Sequence, residues 1–340
     1  MFKDIFLKIT EPEYRDLPYT SYSTIKSFIK EGPKGLRDKK KISSIYIDYG
    51  NLVELLLMDL KKFYIKFYVT DIKIPVDILK EGIENLYESK IMDIEFIYPT
   101  DEEILIATAD WDKRITKKET RLNKLKEKVL PYFDELIKAK NRTIISNEMY
   151  YQARLGVENI KNHYYCKDLL TSKENIEILF QVPIVVKINN IDIKILIDWL
   201  YIDHYNKIII PIDLKTGGFH NNTFEFTFWK NMYHIQGSLY STVLIKFLKE
   251  NKIFDYSYKP FTFIYLSSLT NTVTIHPLSK EILQATWNGY KKGDFYFKGL
   301  NKYIELIQWH KDNFEFTYDK EIIDNKDIIP IKVPLTMIIC

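Results

Sequence analysis

Between residues 178 and 214 the chain carries three consecutive runs rich in β-branched and aromatic residues: 178–188, 191–201 and 207–214. Asn189 and Asn190 separate the first two runs, and Asp203, His204, Tyr205 and Asn206 separate the second and third. Runs of this composition, broken by short polar turns, predict a three-stranded antiparallel meander. That meander limits what the rest of the chain can do. The flanking segments read as helices, and helices must bury their apolar stripes against the sheet.

Upstream, Thr20, Ser21, Tyr22 and Ser23 open a short helix with Ile25, Phe28 and Ile29 on one face and Ser21 or Ser23 as cap; Gly32 and Pro33 end it. A second helix is expected from about Tyr49 and Gly50 to Met58, apolar nearly all round and therefore buried, with Glu54 as the one ionisable residue in that stretch. A third spans about 116–140, with Pro131 expected to kink or split it, and a fourth 146–163. Downstream, the pattern predicts a helix over 227–249, strands over 261–267 and 272–275, and a long helix over 279–311. The expected fold is α/β: a central mixed β-sheet flanked by helices. A helical N-terminal part (1–145) precedes a core (146–315) and a tail (316–340), all read as one continuous structural unit.

Composition narrows the class. Hydrophobic residues at 46% and charged residues at 28% are globular values, which exclude disordered and collagen-like chains. No apolar run reaches the ~18–20 residues of a membrane span, and charges interrupt the opening MFKDIFLKIT where a signal peptide would be apolar. Cys166 and Cys340 are too few for a disulfide framework, a four-cysteine zinc site or an iron–sulfur cluster. A cytoplasmic protein without a membrane partner is expected. Six of the 49 basic residues are arginines, which argues against a surface built on bidentate arginine contacts and leaves lysine as the phosphate binder. Lys117, Arg121, Lys124 and Lys128 line one helical face; they form either a solvated face or a rail for nucleic-acid phosphates.

Side-chain alternation concentrates chemistry on the meander. In 191–201, Lys194, Leu196 and Asp198 share a face opposite Ile193, Ile195 and Ile197. Asp213 and Lys215 share a face in the next run, with Ile208, Ile210, Ile212 and Leu214 on the other. A turn at His204 and Tyr205 places Asp198 opposite Pro211 and diagonal to Asp213. Pro211 cannot donate to a ladder, so a bulge or an edge is expected there. Two nearby carboxylates repel unless a proton or cation lies between them, and hard oxygen donors suit Mg²⁺ or Mn²⁺. A lysine beside them can orient water or offset charge on a phosphoryl group. The triplet D-x-K alone is common here: Asp38 to Lys40, Asp59 to Lys61, Asp71 to Lys73 and Asp192 to Lys194 also satisfy it. Context separates Asp213 to Lys215 from these: an apolar strand before it, Thr216, Gly217 and Gly218 after it, and Asp198 upstream. The plainer alternative for Asp198 is a salt-bridged edge-strand carboxylate.

ILIDWL (195–200), IIPIDLKTGG (209–218) and YHIQGSLYS (233–241) together resemble the active-site signature of the PD-(D/E)XK nuclease superfamily, in its RecB-like and RecE-like (exonuclease VIII-like) phage-type branch. SYSTIKSFIKEGPKGL (21–36), YGNLVELLL (49–57) and NRTIISNEMYYQARLGVENIKNH (141–163) are similar to that branch's flanking segments. The resemblance implies a restriction-endonuclease-like core in which Asp198, Asp213 and the backbone carbonyl of Leu214 bind one or two Mg²⁺ or Mn²⁺ ions. Lys215 is then the catalytic lysine and Gln236 the family's helix glutamine. Tyr233, Gln236 and Tyr240 share a helical face that can cover the site, although ordinary packing explains the tyrosines equally. Tyr240 and Thr216 are candidate substrate contacts. Glu54 stands where the family commonly has histidine, four residues after the glycine, and is the expected further metal ligand. Gln181 stands near a family glutamate, with Glu177 close by; neither is assigned.

The implied activity is a metal-dependent DNA exonuclease of phage-type recombination or replication, acting in the host cytoplasm if phage-encoded. Its expected partners are DNA, a single-strand annealing or single-strand-binding protein, and further copies of itself. A structure- or site-specific endonuclease of the same fold and a catalytically silent DNA-binding module are the alternatives. The chain has no G-x-x-x-x-G-K-[ST] and is not an ATP-driven motor.

Overall fold

The three β-rich runs form the spine of a mixed sheet in the computed structural model, which describes residues 2–37, 45–75, 77–91, 98–111, 115–292 and 295–326. The chain divides into two compact units: Asp48–Val157, and Met1–Ile47 together with Glu158–Cys340. The first 47 residues therefore group with the sheet, and not with the helical segment that follows them. Most of the expected tail, residues 327–340, lies outside the described residues.

In the smaller unit a parallel pair, β1 (Phe67–Thr70) and β2 (Thr143–Ser146), accompanies the helices Leu60–Lys66, Asp77–Ile91, Asp101–Ala107 and Lys118–Ala139. Leu125, Val129, Tyr132 and Phe133 give the last helix a buried stripe that meets Leu79, Ile83 and Ile104. Pro131 does not split it: the helix runs through the proline, with Val129, Tyr132 and Phe133 buried on either side. The packing of that stripe outweighs one missing hydrogen bond. The Ile45–Met58 helix is less buried than its composition suggests. Leu52 and Val53 are fully buried, whereas Glu54, Leu55, Leu56 and Leu57 are half-buried.

The larger unit holds β3 (Ile176–Ile188), β4 (Ile191–Asp203), β5 (Ile208–Gly217), β6 (Ser257–Tyr258), β7 (Thr262–Ser267) and β8 (Val273–Pro277). Their order is β3-β4-β5-β7-β8, with β6 also on β5; β5 runs parallel to β6 and β7, and the other neighbours are antiparallel. Asn189 and Asn190 turn β3 into β4 with φ of 49° and 64°, the left-handed pair that a two-residue hairpin needs. The parallel crossover from β5 to β7 is helical, as such connections require. It consists of two helices, Phe224–Lys230 and Tyr233–Glu250, where the sequence predicts one. The break falls at Asn231 and Met232, where Met232 turns left-handed (φ 61°) and Tyr22 Oη donates to the Asn231 carbonyl at 2.8 Å.

The expected 279–311 helix is also two, Lys280–Asn288 and Leu300–Asp312, with a hairpin of β9 (Tyr290–Lys292) and β10 (Phe295–Phe297) between them. Gly289 and Gly299 (φ 98° and 89°) bracket the hairpin. A Cβ on Gly289 would meet the Phe297 carbonyl oxygen at 2.7 Å, and one on Gly299 the Asn288 carbonyl carbon at 2.6 Å. The Tyr22–Glu31 helix, capped by Ser21, packs Ile25 and Phe28 into the same core as Ile184, Ile195 and Ile197 of the sheet and Ile235, Leu239 and Val243 of the crossover helix. Among the described residues no helix is long and apolar enough to cross a membrane.

Candidate functional site

The site forms where strand pairing lapses. β4 and β5 pair from Asp203 and Ile208 down to Trp199 and Ile212, with Leu200 opposite Pro211. This register lies two positions from the expectation that set Asp198 opposite Pro211. The turn is centred one residue later, between Tyr205 and Asn206, and a slip of two keeps every side chain on its face. Continuing the register brings Asp198 level with Asp213. There the ladder stops, and Asp198 Oδ2 accepts from the Leu214 N–H at 3.2 Å. Pro211 makes neither a bulge nor an edge. On its far side β5 changes partner, from β6 at Ile208 and Ile209 to β7 from Ile212 onward, so a missing N–H there interrupts no pairing.

Asp213 is 1% exposed, and a carboxyl group that deep needs partners. Gln236 Nε2 donates to Oδ1, and the Lys215 ammonium pairs with Oδ2. Burial alone would pull Lys215 down; the Asp213 and Asp198 carboxylates outweigh it and hold the ammonium above the ordinary lysine value. The ammonium also lies 5.1 Å from the Tyr233 ring centre and 5.9 Å from that of Phe263. Gln236 and Tyr233 come from the Tyr233–Glu250 helix, which lies over this face of the sheet. Gly237 of this helix lies against Leu278, whose Cδ1 a Cβ there would meet at 2.2 Å.

Asp198, Asp213, Lys215 and Gln236 are thus brought together on one face. The backbone of Leu214 joins them through its N–H to Asp198. Tyr240 is 8% exposed and packs edge-on to Phe261, its hydroxyl pushed far up by burial and by the negative charge of Asp213 and Asp198. It underlies the carboxylates as part of the core. Thr216 follows Lys215 on β5 and so faces the opposite side of the sheet. Glu54 lies in the other compact unit, half-buried on its helix. Of the basic row, Lys117, Lys124 and Lys128 are exposed, while Arg121 Nη2 donates to the carbonyls of Thr108, Ala109 and Trp111 at 2.7, 2.8 and 3.0 Å. Arg121 closes the end of the Asp101–Ala107 helix.

The other D-x-K triplets have structural employment. Asp59 caps the Leu60–Lys66 helix, and Asp71 accepts from Asn147. Asp192 pairs with Lys187, and Lys194 donates to the carbonyls of Tyr14, Arg15 and Leu17 at 2.9, 2.9 and 2.7 Å. Asp38 to Lys40 lies outside the described residues.

Sequence reasoning missed Tyr22 and Lys26, which the fold brings near Lys215, and Asn231, which bonds both Tyr22 and Tyr233. The i, i+4 spacing of Tyr22 and Lys26 was a usable signal. It also left open Gln181, which falls across from Asp198 at the one gap in the β3–β4 pairing and adopts φ 51° inside a strand.

Among the described residues no group of three or more His, Cys, Asp or Glu side chains is gathered to hold a metal ion. A Mg²⁺ site needs fewer, since that ion is held through one or two carboxylates and keeps water and phosphate as its other ligands. Asp198, Asp213 and a main-chain carbonyl are hard donors of this kind. Gln236 Oε1, buried without a hydrogen-bond partner, adds an open acceptor for a water proton. The donor set fits such an ion. No model of a known protein family matches the chain, and no curated protein shows significant sequence similarity to it.

Proposed function

We propose that the chain is a metal-dependent deoxyribonuclease with a restriction-endonuclease-like core of the PD-(D/E)XK type, working as an exonuclease in phage-type recombination or replication. The observation that carries this reading is the buried Asp213. It is held from one side by Gln236 and from the other by Lys215, next to Asp198, at the point where the sheet's ladder opens. A structural ion pair needs neither the second carboxylate nor the glutamine.

In this reading Asp198, Asp213 and the Leu214 carbonyl would hold Mg²⁺ or Mn²⁺. When bound, the ion acidifies a water and offsets charge on the phosphoryl oxygens. Gln236 fixes the Asp213 carboxylate by its amide N–H and offers Oε1 to the attacking water. Lys215, kept protonated by the carboxylates, donates to that water or to a phosphate oxygen. The sheet and the covering helix hold these groups rigid, so little reorganisation remains for the reaction.

A time course on end-labelled linear DNA and on closed circular DNA, with Mg²⁺ or Mn²⁺, tests the reading. Linear DNA shortening from its ends while circles persist is the expected result. Cut circles make the protein an endonuclease, and intact DNA in every condition overturns the nuclease reading.

A further inference from the structure

Lys215 is not the only lysine at this end of the sheet. Lys26 follows Tyr22 by four residues on the Tyr22–Glu31 helix, and its ammonium lies 5.6 Å from the Tyr22 ring centre. Tyr22 Oη donates to the Asn231 carbonyl at 2.8 Å, and Asn231 Nδ2 donates to Tyr233 Oη at 3.3 Å. Tyr233 in turn carries the Lys215 ammonium on its face. Two lysine–tyrosine pairs, from distant parts of the sequence, are therefore tied to one residue in the break between the crossover helices.

The two ammoniums differ in how they are balanced. Lys215 has Asp213. Lys26 is half-buried, and among the described residues no carboxylate pairs with it. Its placement draws its pKa down to about 8, by burial first and then by the positive charges of Lys30 and Lys215. A half-buried cation surrounded by like charges is relieved when an anion enters.

The neighbouring surface indicates what that anion is attached to. Phe226 is 70% and Trp229 41% exposed, and with Asn222, Thr223 and Glu225 they line an open groove on the first crossover helix. The Lys230 ammonium lies 5.7 Å from the Phe226 ring centre. Phe224 of the same helix stacks on Tyr233, with ring centres 6.3 Å apart. Exposed aromatic faces interleaved with lysines are how proteins hold unpaired bases along a charged backbone.

We propose that Lys26 binds a phosphodiester of a nucleic-acid strand beside the group on which Lys215 acts, with Phe226 and Trp229 stacking the adjoining unpaired bases. This assignment rests on the nuclease reading of Asp198, Asp213 and Lys215. It makes Lys26 a substrate-positioning residue.

The test is the binding of a fluorescein-labelled single-stranded oligonucleotide across a salt series, with EDTA present to prevent cleavage. Losing one lysine–phosphate contact to a single strand lowers the slope of log affinity against log salt by about 0.7 and weakens binding about fivefold near ~0.1 M salt. Lys26→Ala is expected to show both changes, and Lys26→Arg neither. An unchanged slope in Lys26→Ala, or no oligonucleotide binding by the wild-type protein, overturns the proposal. A further arm adds inorganic phosphate at matched ionic strength. If phosphate binds only when Lys26 is present and yet leaves oligonucleotide binding unchanged relative to chloride, the site belongs to free phosphate and the strand assignment fails. Cleavage is read separately. A wild-type protein that binds with a Lys26-dependent slope yet leaves DNA intact with Mg²⁺ loses the nuclease reading and keeps the phosphate site.

Discussion

A carboxyl group at 1% exposure has lost its water and needs partners within the protein, and for Asp213 two side chains supply them. Gln236→Ala removes one of them and leaves Oδ1 buried without its donor. Unfolding in urea should show a loss of about 1–3 kcal/mol, the usual penalty for stranding a buried polar atom. An unchanged midpoint would mean that the amide does not hold Asp213. His234 makes a second residue-scale case. It is 4% exposed, its Nδ1 has no partner, and burial pulls it down to about 4, among the rings of Phe228, Trp229, Tyr290 and Phe297. As pH falls below about 6.5 the unfolded chain takes up this proton first, so stability declines until about pH 4 and then levels. The total is on the order of 3 kcal/mol at 1.36 kcal/mol per pKa unit. Urea midpoints at neutral and acid pH should differ less in His234→Phe than in the wild type; identical pH dependence would assign the slope to other groups.

At the scale of elements, alternation along β4 and β5 was enough to put Asp198, Asp213 and Lys215 on one face. It survived an error of two positions in register because faces repeat every two residues. The helix break at Asn231 and Met232 was not legible, because the hydroxyl that serves the freed carbonyl comes from Tyr22, 209 residues away. Nothing local announces it. The β9–β10 hairpin was partly legible: Gly289 and Gly299 are punctuation that helical periodicity overrode. Gly299→Ala should lose about 1–3 kcal/mol, because a Cβ at positive φ would run into the Asn288 backbone. Full stability in Gly299→Ala would contradict the hairpin and favour an unbroken helix.

For the whole molecule, composition and pattern were sufficient for a mixed sheet flanked by helices, but not for the grouping of the first 47 residues with that sheet. That grouping depends on contacts such as Thr20 bridging to Ile193 and Lys194 reaching the carbonyls of Tyr14 and Leu17, which no periodicity encodes. A resident ion links site to global stability, since a ligand that binds only the folded state stabilises it by about 2.7 kcal/mol at a hundredfold excess over Kd. Melting temperature should therefore rise with Mn²⁺ in the wild type and in Lys215→Ala, whose lysine is no ligand, and rise less in Asp198→Asn. Equal gains in all three proteins would place the ion elsewhere.

The measurement that bears most directly on the central claim is phosphodiester cleavage by wild type and Asp213→Asn, purified side by side and assayed with Mg²⁺ on end-labelled linear DNA. The amide keeps the size of the carboxylate and removes its charge. The wild-type protein should degrade the DNA, while Asp213→Asn should bind it and leave it intact. Equal digestion by both proteins would contradict the assignment of this constellation as the site.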